Sequence, residues 1–138
     1  MLDAMMIPPN PVNEPIQSYA PGSKERASIK AELAHLSTTP AEFGHFIGGR
    51  EVRTGKLVDV RSPHNHSLLL GRRFQGGAEE VQAAIDASLA ARREWSLMPW
   101  SSRAAIFLKA ADLLAGKYRN LANAATMLGQ SKTVYQAE

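Results

Sequence analysis

The stretch GGAEEVQAAIDASLAARREWSLMPWSSRAAIFLKAADLLAG, Gly76 to Gly116, sets the architecture of this chain. Gly76-Gly77 punctuates what comes before. Glu79 and Glu80 then fall in a first turn, where carboxylates favour the positive end of a helix dipole. Val81, Ile85 and Leu89 recur on one stripe that Trp95 extends, so the spacing predicts a helix from Ala78 to Leu97. Pro99 breaks it. Ser101 is placed to cap a second helix, whose stripe is Ala104, Phe107, Leu108, Ala111 and Leu114 and whose polar face carries Arg103, Lys109 and Asp112. Gly116 ends that helix. A third helical run, Leu121 to Leu128, is alanine-rich and apolar enough to be mostly buried.

Upstream of Gly76 the period changes. Between Phe43 and Phe74, Gly48-Gly49 separates His45-Phe46-Ile47 from Arg50-Glu51-Val52-Arg53, and a two-glycine turn tolerates the positive φ that hairpins need. Thr54-Gly55-Lys56 is a second turn, and Ser62-Pro63-His64-Asn65-His66 is a loop before Ser67 to Phe74. A small antiparallel meander follows from this punctuation. Further upstream, Ser23 caps an amphipathic helix over Lys24 to Leu36, with Glu25 in its first turn and Ile29, Leu33 and Leu36 at helical spacing. Ser37-Thr-Thr-Pro40 ends it. Met1 to Pro21 hold five of the eight prolines, so this segment is expected to be an extended arm.

The chain has 138 residues, 44% of them hydrophobic, enough for one modest core. No run of about 18 apolar residues is available to span a membrane. With no cysteine, the chain has no disulfide, no thiolate metal site and no cysteine nucleophile. A net charge of +3 invites a nucleic-acid partner. However, Glu51 and Asp59 interrupt the basic cluster of Arg50, Arg53, Lys56, Arg61, Arg72 and Arg73, and it reads as a solvated face.

Each sharper motif is weaker than it looks. Gly129-Gln-Ser-Lys-Thr133 resembles a phosphate loop, but such a loop needs glycine before the lysine and a strand before the loop. Here Ser131 precedes Lys132 and a helical run leads in, so a helix-to-helix turn at Gly129 is expected. His64 and His66 form an H-x-H pair that needs a further ligand to hold a metal, and Pro63 and Asn65 mark the segment as an exposed turn. No G-x-S-x-G elbow occurs, and no G-x-G-x-x-G follows a strand. The residues alone describe an α plus β segment without a visible active site.

Three blocks carry a resemblance: NEPIQSYAPGSKER (13–26), AIDASLAARREWSLMPWSSRAAIFLKAADLLAG (84–116) and ATMLGQSKTVYQAE (125–138). They resemble the beginning of the pyrroline-5-carboxylate dehydrogenases, a branch of the aldehyde dehydrogenases, and Phe46-Ile-Gly-Gly49 resembles the strand and turn that open aldehyde dehydrogenases generally. The resemblance implies an α/β fold, as the N-terminal fragment of the aldehyde dehydrogenase fold. Residues 1–22 would be an arm and residues 23–138 the first part of the NAD-binding domain, with Glu138 a truncation point.

It also implies the chemistry of a longer parent. A cysteine thiolate attacks glutamate semialdehyde, hydride passes to NAD, and a glutamate-activated water releases glutamate. All of those groups would lie downstream, so no catalytic, cofactor-binding or metal-binding role falls on any residue here. The implied partners are the remainder of the dehydrogenase chain, a small-molecule aldehyde and, for the parent, further copies of itself. The absence of arginine from Met1 to Pro15 favours a cytoplasm over a mitochondrial matrix. A self-standing assembly module derived from the same fold is the alternative. The stripes Val81/Ile85/Leu89 and Phe107/Leu108/Leu114 are expected to bury against a sheet supplied by the rest of the parent, each side chain worth about 1.5 to 3 kcal/mol when buried, so the isolated chain is expected to be marginally stable or prone to associate.

Overall fold

The computed structural model describes residues 7–138; the first six residues of the expected arm lie outside the described residues. Residues 7–23 contain no helix or strand. Helix α1 (Lys24–Thr38) starts where the sequence places it, because Ser23 Oγ accepts the N–H of Arg26 at 3.2 Å. It runs two residues past the expected Leu36. Ser37 and Thr38 turn their hydroxyls back onto the Leu33 and Ala34 carbonyls at 2.7 and 3.0 Å, which ties off the last turn before Pro40.

Five strands follow: β1 (Ala41–Phe43), β2 (His45–Ile47), β3 (Arg50–Val52), β4 (Leu57–Ser62) and β5 (Asn65–Phe74). The expected hairpin forms, with β2 and β3 antiparallel and Gly48 and Gly49 at φ of 56° and 78°. A single antiparallel meander does not. β2 and β3 stand as their own two-stranded sheet, while β1, β5 and β4 form a mixed sheet in that order. β1 runs parallel to β5, Ala41 opposite Gly71, and β4 runs antiparallel to it. Turn residues report only local hairpins, and the β1–β5 pairing joins segments about 30 residues apart. The connection between β4 and β5 is also tighter than the expected loop, since Asn65 already belongs to β5. Register shifts on either side of Arg61 bend β4 so that Ser62 reaches the last helices.

Helix α2 (Ala78–Leu97) matches its expected span, and Glu80 Oε2 accepts the Gly77 N–H at 2.6 Å at its start. Helix α3 (Trp100–Ala115) begins one residue before the expected cap. Pro99, extended at ψ 137°, occupies the cap position, and its carbonyl accepts the N–H groups of Ser102 and Arg103. Gly116 ends the helix as expected. Helix α4 (Arg119–Gln130) continues through Gly129, and the turn falls instead on Ser131 in the left-handed region at φ 56°. A short helix α5 (Val134–Ala137) that periodicity did not indicate follows, closed by Gln136 Oε1 on the Thr133 N–H.

The core is small. Tyr19, Ile29 and Ala124 form its centre, with Leu33, Leu36, Met127 and Val134 packed around them where α1 crosses α4. Of the expected mostly buried run on α4, Asn123, Ala124 and Leu128 are buried, whereas Leu121 stays exposed. Neither α2 nor α3 has a buried residue.

Candidate functional site

The polar centre of the described structure is built on Glu138. Its carboxylate accepts the Tyr19 hydroxyl at 2.7 Å, an Asn123 amide N–H at 2.5 Å, the backbone N–H of Gln17 at 3.1 Å and the Arg119 guanidinium. The Glu138 and Arg119 side chains are 2% and 13% exposed. Arg119 also donates to the Pro15 carbonyl at 2.7 Å, and the Tyr135 hydroxyl donates to the Ser18 carbonyl at 2.8 Å. Arm, α4 and α5 are thereby fastened at one point. Tyr19 holds φ 48°, a left-handed conformation unusual for a tyrosine, inside this set of contacts.

Burial alone would push the Glu138 carboxyl up. The hydrogen bonds from Arg119, Tyr19, Gln17 and Asn123 outweigh it and hold the pKa at about 2. Glu138 in turn raises Arg119, against the opposing effect of burial, and Tyr19 is raised by burial and by the same carboxylate. A carboxylate saturated by four donors is a poor base at neutral pH, and its role in this geometry is to clasp the arm. Sequence reasoning assigned none of these residues a role. Tyr19 and Glu138 are 119 positions apart, and no spacing rule links them.

The sequence motifs resolve into structural contacts. His64 Nδ1 lies 3.2 Å from Ser62 Oγ and 3.0 Å from Ser131 Oγ, while His66 Nε2 lies 3.1 Å from the Pro63 carbonyl. The two rings therefore serve different partners. Among the described residues no group of three histidine or carboxylate side chains converges to hold a metal. The Gly129–Thr133 segment closes α4 and leads into α5, so it joins helix to helix and follows no strand.

Ser62 is fully buried, and its hydroxyl donates to the Leu128 carbonyl at 2.9 Å, satisfying a group near the α4 end that has no helical partner. Ser62→Ala is expected to destabilise the chain by about 1 to 3 kcal/mol, because that carbonyl stays buried and unpaired. Chemical denaturation of the variant checks this, and an unchanged midpoint would contradict it.

A dinucleotide needs backbone N–H groups free at a glycine-rich turn between a strand and a helix. Among the described residues one strand–glycine–helix turn of that kind occurs, β5 to α2 through Gly76 and Gly77. Its Gly77 N–H is already taken by Glu80, and Glu79 and Glu80 place negative charge where a pyrophosphate would sit. The described residues thus do not fit a dinucleotide phosphate, and no chemistry is routed through such a group here.

What remains is apolar surface. Val81, Ile85 and Leu89 on α2 and Phe107, Leu108 and Leu114 on α3 are between 46% and 66% exposed. A groove of about 500 Å³ opens between α1, the mixed sheet and α4, lined by Leu36, Phe43, Val60, Leu70, Leu121 and Leu128 among others. Those six side chains come from five elements. No helix among the described residues is long and apolar enough to cross a membrane.

A helical layer carrying unpartnered stripes, beside a mixed sheet and a glycine-turned hairpin, is an arrangement with known counterparts. Residues 50–138 match the aldehyde dehydrogenase family, and the chain belongs to that family. The delta-1-pyrroline-5-carboxylate dehydrogenase of Agaricus bisporus is 50% identical over 127 residues, which are 91% of this chain and 23% of that protein. The mitochondrial delta-1-pyrroline-5-carboxylate dehydrogenase of Dictyostelium discoideum is 40% identical over 130 residues, 94% of this chain and 23% of that protein. Among solved structures, the delta-pyrroline-5-carboxylate dehydrogenase of Mycobacterium tuberculosis bound with NAD superposes with a TM-score of 0.94 at 46% identity, over 99% of this chain and 26% of that one. The chain thus spans about a quarter of the length of the proteins it matches.

Proposed function

We propose that this chain is the opening part of an NAD-dependent dehydrogenase that oxidises pyrroline-5-carboxylate, as glutamate semialdehyde, to glutamate. Residues 23–138 belong on this reading to the cofactor-binding domain, behind an arm over residues 1–22. The observation that carries it is the near-complete superposition on the M. tuberculosis enzyme at 46% identity. The chain's own contribution is structural: the clasp at Glu138 fastens the arm, and the stripes on α2 and α3 offer a surface to the rest of an enzyme. Catalytic thiolate, general base and NAD-gripping segments come from beyond these residues, a reading supported for the thiolate by the absence of cysteine. A small aldehyde is the substrate, and the whole enzyme self-associates.

The test is a covalent chimera in which this chain replaces the matching part of the A. bisporus enzyme. NADH absorbance is expected to rise with pyrroline-5-carboxylate, while the 138-residue chain alone forms no NADH. A folded chimera that oxidises other aldehydes but not this one would remove the substrate assignment and leave the family. Turnover by the chain alone would overturn the structural role.

A further inference from the structure

Two motifs of the sequence meet in the fold. His64, from the H-x-H pair on the turn between β4 and β5, lies 3.0 Å from the hydroxyl of Ser131, on the segment between α4 and α5. Beside that contact is a cavity of about 380 Å³, within the range of roughly 300 to 1,000 Å³ that small-molecule sites occupy. Leu33, Met127 and Leu128 supply its apolar wall, and His64, Ser131, Lys132 and Thr133 its polar groups.

The hydrogen positions follow from counting donors. Ser62 has one hydroxyl hydrogen, and it is committed to the Leu128 carbonyl at 2.9 Å. Ser62 Oγ can then only accept from His64 Nδ1, 3.2 Å away, so Nδ1 carries the ring proton. The same N–H faces Ser131 Oγ, which accepts it too and keeps its own hydrogen free. Neutral His64 is left with a bare Nε2, which has no hydrogen-bond partner among the described residues. Thr133 adds no donor, because its hydroxyl and its backbone N–H both go to Gln136 Oε1. Lys132 is exposed and pairs with no carboxylate among the described residues. Among the described residues no acidic side chain lines the cavity.

The cavity thus offers one cation, one hydroxyl donor, one nitrogen acceptor and an apolar wall. A carboxylate accepts from Lys132 and Ser131, a hydroxyl on the same molecule donates to His64 Nε2, and a short aliphatic chain covers Leu33, Met127 and Leu128. A bare inorganic oxyanion would leave that wall wet and, without a proton to donate, would meet a lone pair at Nε2. We propose that this cavity binds a small hydroxycarboxylic acid with an aliphatic body, held by Lys132, Ser131 and His64. The site stands apart from the dehydrogenase reading, since it is detected by binding and not by turnover.

Calorimetric titration with α-hydroxyisocaproate, of this chain and of its chimera with the A. bisporus enzyme, tests the site. Saturable binding is expected in both proteins. Isocaproate, which lacks the hydroxyl, should bind about tenfold more weakly, the loss that one hydrogen bond brings. Lys132→Met changes an exposed side chain and should weaken both acids by about tenfold or more with circular dichroism unchanged. His64→Asn separates a ligand role from a structural one. Its amide N–H replaces the Nδ1–H toward Ser62 and Ser131 but supplies nothing at Nε2, so the two acids should bind alike. A His64→Asn variant that still prefers the hydroxy acid would overturn the role of His64. Absence of binding by both proteins, or equal binding of the two acids by the unsubstituted chain, would overturn the proposal. So would tighter binding of inorganic phosphate than of the hydroxy acid, which would make this a plain anion site. Binding to the chain but not to the chimera would overturn it as well, because the rest of the enzyme would then fill the cavity.

Discussion

Replacing Glu138 by glutamine is expected to destabilise this chain by about 3 kcal/mol, the cost of leaving a buried arginine without its counter-ion. The side chain keeps its shape, so the loss falls on the charge. Arg119, 13% exposed, would retain only the Pro15 carbonyl and the weak acceptor that the amide oxygen offers. Tyr19 and Asn123 would lose the charged partner that both now share. Urea denaturation of Glu138→Gln, Arg119→Met and the double variant measures this directly. The double variant should be less destabilised than the sum of the two singles, because removing both charges leaves neither stranded. A Glu138→Gln midpoint indistinguishable from the parent would refute the clasp.

The same carboxylate sets a dependence on acid. Its folded pKa of about 2 lies below the ordinary value of 4.5, so the unfolded chain takes up a proton first as the pH falls. A group depressed in this way contributes fully above about pH 4.5, and the contribution disappears progressively as the pH falls toward about 2. The parent should therefore lose stability through that window. Glu138→Gln should lack this segment of the acid profile, and two profiles of the same shape would contradict the assignment.

Gly71→Ala is the second large effect. A Cβ at this position would lie 2.5 Å from the Ala41 carbonyl oxygen and 2.7 Å from Phe43 Cε2. The first of those atoms is backbone and cannot rotate away. Gly71 sits in the middle strand, opposite Ala41 on one side and Val60 on the other, so the displaced strand is β1. The expected cost is about 3 kcal/mol, the upper part of the range for overpacking, with faster amide exchange in β1. Gly55→Ala is the control, because nothing lies within 4 Å of the added atom. Equal behaviour of the two variants would mean that β1 is not held by close approach to β5.

These two sites mark the boundary of what a linear reading reaches. The helices α1, α2 and α3 were legible because an apolar stripe, a capping hydroxyl and a terminal glycine each act within a few residues. The Gly48-Gly49 hairpin was legible for the same reason, since positive φ at adjacent residues favours glycine. Gly71 lies inside the run Ser67 to Phe74, where no local pattern marks it. Its purpose became visible only when β1 was found beside it, running parallel. Ser131 likewise took the left-handed position that Gly129 was expected to supply, and its hydroxyl meets His64 across 67 positions of chain.

By itself the amino-acid sequence determined the helical layer, the hairpin, the lack of a thiol and the resemblance to one enzyme family, all of which rest on short-range pattern or residue identity. Tertiary structure alone decided that β1 pairs with β5 and that the arm is fastened through Glu138. Those outcomes depend on contacts between residues about 30 to 120 positions apart. The free energy of such contacts comes from burial and from partners meeting in space, and a local window contains neither.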